Sequence, residues 1–122
     1  MPAAVRALRG ATTVDADTEE QVTTRVQSLV EAMLEHNGVG KEDLISIIFT
    51  ATDDVVSMFP AAAARVAGLG DVPLLCAREL AVRGGTPLCI RVLMHVQTDR
   101  RRDQLHHVYL EGARGLRDDL PE

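Results

Sequence analysis

The spacing of apolar residues predicts one long amphipathic helix near the start of this 122-residue chain. In "DADTEEQVTTRVQSLVEAMLEHNGVG" apolar side chains recur at helical intervals, which places them on one face. Asp17 or Thr18 is suited to cap this helix, and Glu20 or Gln21 would complete a capping box. Gly38 suits the left-handed position that ends it. The predicted apolar face comprises Val22, Val26, Leu29, Val30, Met33 and Leu34.

Shorter apolar runs predict strands. "AAVRALRGATT" alternates in polarity and predicts a short strand that stops at Gly10. "DLISIIFTAT" and "CIRVLMHVQT" are too short for typical helices and predict apolar strands, the first of them central in the sheet. "VPLLCAREL" predicts a strand or extended segment, and "LHHVYLEGARGLR" offers one further strand. "PAAAARVAGLG" predicts a short helix with Pro60 in its first turn.

The resulting order, β-α-β-α-β-β-β, predicts a single domain over residues 1–122 with a mixed sheet. The expected fold class is α+β, a mixed β-sheet packed with helices. An apolar share of 46% argues against disorder. A net charge of −5 and only 2% aromatic residues argue against a nucleic-acid partner, because both bulk positive charge and stacking platforms are missing.

The chain has no apolar run of the ~20 residues that a membrane-spanning helix requires. Its N-terminus, "MPAAVRALRGATT", lacks the long apolar core of a signal peptide and contains Arg6 and Arg9. These features predict a cytoplasmic protein without a membrane partner. In that compartment Cys76 and Cys89 are expected to be reduced thiols.

Arg91 is the residue that the strand pattern does not explain, because it lies between Ile90 and Val92 in an apolar run. A guanidinium is always charged and is costly to bury without a partner. Arg91 could pair with a carboxylate such as Glu79 or reach past the strand edge to solvent. Alternatively, it points into a cleft that receives an anion.

Other arginines extend the second interpretation. Arg9 ends the first predicted strand, Arg65 follows "FPAAAA", and Arg117 lies in "GLRDD". Guanidinium forks suit carboxylates, so a group of them could bind a small polyanion, although each alone is an ordinary surface residue. The candidate residues other than arginine belong to types that most often have structural roles. These are Glu79 as a surface carboxylate, Tyr109 in the core and Phe59 in packing.

Metal and cofactor chemistry has little support in the sequence. His106 and His107 are adjacent, so on a strand they face opposite ways and cannot chelate one ion well. Cys76 lacks an obvious basic partner that would activate it as a nucleophile. There is no glycine-rich nucleotide loop, and "DRRRDQ" is flanked by Asp99 and Asp103 as in a solvated loop. We therefore expect no metal and no cofactor.

Several motifs in combination resemble one enzyme family. "RALRGATTVDADTEEQV", "FTATDDVVSMFPAAAAR", "DVPLLCARELAVRGGTPLCIRVLMHVQTD" and "HHVYLEGARGLRDDL" are similar, in order and spacing, to the small α/β-type chorismate mutases of bacteria. The resemblance covers most of the chain. It implies a homotrimer with a barrel-like, ferredoxin-like core and active sites between subunits. It also implies the intramolecular rearrangement of chorismate to prephenate on the route to phenylalanine and tyrosine, without metal or cofactor.

The resemblance implies roles for particular side chains. Arg91 would donate to the ether oxygen, where charge builds as the C–O bond breaks. Glu79 would bind the ring hydroxyl, with Cys76 beside it. Arg9 and Tyr109 would hold the carboxylate of the enolpyruvyl side chain.

The resemblance places further residues at the margin of the same site. Phe59 would wall the apolar face of the substrate, and Arg65 would sit near the entrance. Leu116 and Arg117 would close the site from the tail. The chain departs from the family pattern at Ala62, where relatives often carry lysine, and at Leu75, where they often carry threonine.

Two other functions fit part of the pattern. The trimeric enamine/imine deaminase-like family has a similar architecture and uses an interface arginine for a carboxylate. A non-catalytic trimer that binds a small anion would be served equally well by Arg9, Arg91 and Tyr109. Glu79 facing Arg91 across a pocket distinguishes the mutase, because simple carboxylate binding does not require it.

Overall fold

A computed structural model describes residues 3–116 of the chain. Five strands form one sheet in the order β3-β2-β4-β1-β5, and two helices accompany it, which confirms an α+β fold with a mixed sheet. The order of elements along the chain is the predicted one. They are β1 (Ala4–Thr13), α1 (Glu19–His36), β2 (Leu44–Ala51), α2 (Pro60–Ala64), β3 (Leu74–Arg78), β4 (Cys89–Thr98) and β5 (Val108–Tyr109).

The central strand of the sheet is β4, which runs antiparallel to both of its neighbours, β1 and β2. The outer pairs are parallel: β2 with β3, and β1 with β5. Parallel pairing requires a crossover, and the α2 segment provides it between β2 and β3. The "CIRVLMHVQT" run, Cys89–Thr98, is thus the strand with the longest pairing on both sides, where a buried charge would be most costly.

One face of the sheet carries the core. Because side chains alternate along a strand, Leu8, Phe49 and Val92 all point to the face covered by α1. The helix contributes the apolar stripe that its sequence predicts, and all of its members are buried. This contiguous apolar cluster supplies the main driving force for folding.

The opposite face of the sheet, which we call the open face, has no helix over it among the described residues. Arg9, Arg91, Leu93, Ile48 and Leu75 lie on it, as the strand register requires. Leu75 is 62% exposed and Leu93 is 37% exposed. A sheet with two apolar faces normally has both of them covered, so the open face is suited to contact with another molecule.

The predicted helix boundaries are confirmed at both ends of α1. The Thr18 hydroxyl accepts a hydrogen bond from the Gln21 amide at 3.1 Å. Gln21 does not complete a capping box, because its side-chain oxygen accepts from Asp15 instead, at 2.8 Å. Gly38 has φ 62, and the Gly38 and Val39 amides donate back to the last turn in a Schellman pattern.

Gly10 does not stop β1, which continues through it to Thr13. The prediction was wrong because it considered only local conformation. Gly10 lies on the helix-covered face, where an added Cβ would come within 2.5 Å of the Met33 Sδ and 3.1 Å of the Leu29 Cδ1. Glycine therefore leaves room here for the Met33 and Leu29 side chains of α1.

The last strand is shorter than "LHHVYLEGARGLR" suggested, since β5 covers only Val108–Tyr109. A turn from Glu111 to Ala113 follows, with Glu111 at φ 53. No helix within residues 3–116 is both long and apolar enough to cross a membrane.

We predict that Gly10→Ala lowers the free energy of unfolding by roughly 1–3 kcal/mol, the range typical of an overpacked core. Gly70→Ala is a matched control, because its added Cβ would meet nothing within 4 Å. Urea unfolding of the two variants measures the difference. Equal stability of both variants would contradict the crowding of residue 10 by the Met33 and Leu29 side chains.

Candidate active site

A cleft of about 280 Å³ opens on the open face of the sheet. Four of the predicted site residues line it together: Arg9, Glu79, Arg91 and Tyr109. They come from three strands and from the residue that follows β3. The sheet register, rather than proximity in sequence, therefore assembles the group.

Arg91 lies at the floor of this cleft because it is in the central strand. Its cross-strand neighbours are Ala11 on β1 and Thr50 on β2. Both are small, so they leave space over the middle of the sheet for the guanidinium and for a ligand. The Arg91 side chain is 42% exposed, which means that it is half-buried in the cleft rather than sealed in the core.

Glu79 is the partner of Arg91, as the first of the two interpretations predicted. Its Oε2 lies 3.2 Å from the Arg91 Nε and accepts a hydrogen bond of 2.7 Å from the Thr50 hydroxyl. The Glu79 amide donates to the Ala51 carbonyl at 3.0 Å, which extends the β2–β3 ladder by one residue. The carboxylate is thus fixed from its backbone and from its side chain.

The ion pair leaves part of the guanidinium available. The Arg91 Nε–H is not aligned with the carboxylate as a hydrogen bond, so the attraction is between charges only. Among residues 3–116, Glu79 is the only carboxylate within ion-pair distance of Arg91. A half-exposed pair of this kind contributes little to stability. With Arg9 nearby, the cleft carries more positive than negative charge and is suited to an anion.

Tyr109 borders the cleft from the β5 side. It pairs with Ala11, which places it on the open face, and only 7% of it is exposed. A small apolar cluster of Ala11, Cys89, Tyr109 and Ala113 surrounds it, and Leu116 packs against this cluster. Leu116 therefore lies close to the Tyr109 side of the cleft. Arg117 lies outside the described residues.

Cys89 lies in the same cluster, two residues before Arg91 and on the same face of β4. It is 2% exposed. Burial raises the pKa of its thiol, and the Arg91 guanidinium opposes part of that shift. Cys89 is consequently a neutral packing residue beside Arg91.

Cys76 and Phe59 lie elsewhere. They line a second cleft of about 680 Å³, beside the start of α2 and the outer strand β3, together with Ala62 and Arg78. Cys76 is on the face of β3 opposite to Glu79, since the two are three residues apart. Within one chain the structure therefore does not bring Cys76 beside Glu79. Arg65 is exposed at the end of α2 and lines neither cleft.

Sequence reasoning missed Thr50 as a site residue. Its hydroxyl is the only side-chain group of the described residues that donates a hydrogen bond to Glu79. In "IIFTAT" both Thr50 and Thr52 alternate with apolar residues, and nothing local marks Thr50 as the one whose partner is 29 residues away. Within residues 3–116 no group of three or more metal-binding side chains occurs, and Cys76 and Cys89 are both free.

Comparison with known proteins identifies the family. The family model described as chorismate mutase type I matches residues 5–120. Two relatives named chorismate mutase AroH, from Bacillus subtilis (strain 168) and Thermus thermophilus, are 45% and 49% identical over 117 residues. Each alignment covers 95% of this chain, and 92% and 96% of the respective relative.

A solved structure of a chorismate mutase from Clostridium thermocellum is similar in fold. It has a TM-score of 0.87 and 46% sequence identity, and it covers 89% of this chain and 97% of its own. Fold, cleft and sequence therefore agree. The chain belongs to the type I chorismate mutase family.

We predict that the two thiols differ in reactivity. Cys76 is half-buried in a cleft, whereas Cys89 is buried and its pKa is raised from 9.0, which keeps it protonated at neutral pH. Brief iodoacetamide treatment of the native protein at pH 8 should modify Cys76 before Cys89, as mapped by peptide mass spectrometry. Both should react after unfolding. Faster labelling of Cys89 in the native state would contradict the described packing.

Proposed function

We propose that this chain is a cytoplasmic chorismate mutase that rearranges chorismate to prephenate on the route to phenylalanine and tyrosine. The observation that carries the proposal is the open-face cleft in which Arg91, held at the centre of the sheet, faces Glu79 beside Arg9 and Tyr109. Family membership supports the reaction, which makes the protein an isomerase.

The reaction requires no nucleophile and no general base, because one C–O bond breaks and one C–C bond forms within the same molecule. The enzyme gains rate by holding a flexible dianion in its compact reactive conformer. Arg9 and Tyr109 bind the carboxylate of the enolpyruvyl side chain, whose charge does not change during the reaction. Arg9 provides the positive charge, and Tyr109 provides a contact from a side chain that is nearly buried and therefore fixed in position.

Arg91 acts on the transition state. As the ether C–O bond breaks, negative charge builds on its oxygen, and the guanidinium donates to that atom. This interaction is stronger in the transition state than in the ground state, so it raises turnover rather than only binding. Glu79 binds the ring hydroxyl, and its carboxylate, fixed by the Thr50 hydrogen bond, attracts the Arg91 guanidinium toward the cleft.

We propose further that the active enzyme is a homotrimer in which each site is completed by a neighbouring chain. The predicted site residues fall into two groups, one in the open-face cleft and one in the second cleft with Phe59 and Cys76. An uncovered apolar sheet face and Phe59, which is 71% exposed, support such an assembly. Phe59 and Cys76 of one chain would then wall the substrate bound by Arg91 of the next, with Arg65 near the entrance and Leu116 and Arg117 closing from the tail.

A plain anion-binding protein is the alternative function, and Glu79 argues against it. A carboxylate 3.2 Å from the central arginine lowers the affinity of a site for anions in general. Its presence is explained if the ligand carries a hydroxyl that needs an acceptor. The enamine/imine deaminase-like alternative lacks support from the family comparison.

We predict that Arg91→Met lowers kcat about a thousandfold, because one preorganised donor at a developing charge stabilises a transition state by ~3–4 kcal/mol. Arg91→Lys should recover little, since an ammonium cannot reproduce the fork. KM should change less than kcat, because Arg9 and Tyr109 still hold a carboxylate. Loss of chorismate absorbance measures turnover, on variants of matched Tm. Turnover of Arg91→Met within tenfold of wild type would exclude the electrostatic role.

We predict that two inactive variants restore activity when they share trimers. Arg91→Met damages the open-face half of a site, and Phe59→Asp sets a carboxylate against the dianion in the other half. Random co-assembly should return about a quarter of the wild-type sites, because each site draws its halves from different chains. Co-assembly of Arg91→Met with Glu79→Ala is the control and should restore nothing, since both defects lie in one half. No recovery in the first mixture, with trimers confirmed by light scattering, would place each site within a single chain.

We predict that neither a metal nor the Cys76 thiol takes part in the chemistry. Extended treatment with a chelator should leave kcat unchanged. Cys76→Ala should retain kcat within about tenfold, because a pericyclic reaction forms no covalent intermediate. A covalent adduct on Cys76 trapped during turnover, or activity that requires added metal, would overturn this part of the mechanism.

A further inference from the structure

A hydrogen bond links the backbone of Arg9 to a histidine side chain on the neighbouring segment. The Arg9 amide donates to the His107 Nδ1 at 3.0 Å. This amide points away from β4 and toward the edge of the sheet where β5 begins. We propose that His107 is a positioning residue for Arg9, with its imidazole taking the place of a strand carbonyl. The kinetic consequences rest on the proposed chorismate mutase function.

The need for this bond follows from how short β5 is. The β1–β5 ladder pairs only Gly10 with Val108 and Ala11 with Tyr109. The Leu110 amide extends it by donating to the Ala11 carbonyl at 2.9 Å. At the opposite end of the ladder, the His107 imidazole accepts from the Arg9 amide. His107 therefore holds the backbone that carries the Arg9 side chain.

His107 is itself held in place from the helix side of the sheet. Asn37, which is 1% exposed at the end of α1, donates to the His106 carbonyl at 2.8 Å and accepts from the His106 amide at 2.7 Å. It also donates to the Met33 carbonyl at 2.8 Å. Both backbone polar groups of His106 are thus fixed to the helix terminus, and this sets the direction from which the next side chain approaches β1.

The acceptor role determines the chemical state of the ring. A nitrogen that accepts a hydrogen bond carries no proton, so His107 is the neutral tautomer with its proton on Nε2. Because Tyr109 follows two residues later on the same segment, one hydrogen bond sets Arg9 relative to Tyr109. These are the two residues proposed to hold the substrate carboxylate.

Replacement of His107 tests the role, because the substitutes differ in where they place an acceptor. Asparagine places its Oδ1 near the position of Nδ1, glutamine places its oxygen farther out, and alanine removes the acceptor. We expect His107→Ala and His107→Gln to raise KM about tenfold with kcat within about threefold, because Arg9 binds the ground and transition states alike. His107→Asn should restore a near wild-type KM.

The pattern of outcomes separates positioning from a general structural role. Equal KM in all variants, or equal losses in Ala, Gln and Asn that follow a lowered Tm, would overturn the proposal. A direct measurement on the wild-type protein requires no variant to fold: a scalar coupling between the Arg9 amide nitrogen and the His107 Nδ1 should appear in a ¹⁵N NMR spectrum. A protonated Nδ1 would overturn the proposal as well. Absence of any chorismate turnover in the wild type would refute the proposed function but leave this NMR test valid.

Discussion

The ion pair between Arg91 and Glu79 is the interaction on which the proposed chemistry depends. A permanent positive charge at the centre of a five-stranded sheet would be unfavourable if it were sealed in the core. The fold avoids that cost by placing Arg91 on the open face, over Ala11 and Thr50, and by supplying one carboxylate at 3.2 Å. The charge is therefore compensated by Glu79 and still accessible to a ligand.

The rest of the structure can be understood as support for this arrangement. The core and the helix α1 occupy one side of the sheet, and α1 contacts β1 closely at Gly10. The cleft lies on the other side of the sheet. Glu79 is fixed by a backbone bond that continues the β2–β3 ladder. Tyr109 is fixed by the short pairing of β5 with β1. These bonds hold the residues that line the cleft in fixed relative positions, as preorganised electrostatic catalysis requires.

Local patterns in the sequence predicted the elements well, because their causes are local. The "CIRVLMHVQT" run matches β4 residue for residue, and the end of α1 follows from the left-handed Gly38. Gly10 was misread because its role depends on Met33 and Leu29, which only the packed helix brings near. Tertiary contact, not conformational freedom, selects glycine at that position.

The residues of the candidate site also differ in whether the sequence could predict their roles. Arg91 and Glu79 could be paired from sequence because charge in an apolar strand demands a partner, and the structure places them together. Thr50 and His107 could not be found, since each acts through one hydrogen bond to a residue distant in sequence. The separation of Cys76 from Glu79 within one chain also could not be foreseen, because a resemblance reports which residues form a site and not which copy of the chain supplies each.

Arg91 is proposed to bind the transition state more strongly than the ground state. Inhibition constants test it directly: one for a stable bicyclic ether dicarboxylate that mimics the transition state, and one for an unreactive, ring-reduced analogue of chorismate. Comparison of wild type with Arg91→Met should show the affinity for the bicyclic compound falling by about the same factor as kcat/KM, on the order of a thousandfold. The affinity for the ground-state analogue should fall far less. Equal losses for both compounds would mean that Arg91 merely binds an anion and does not stabilise the transition state selectively.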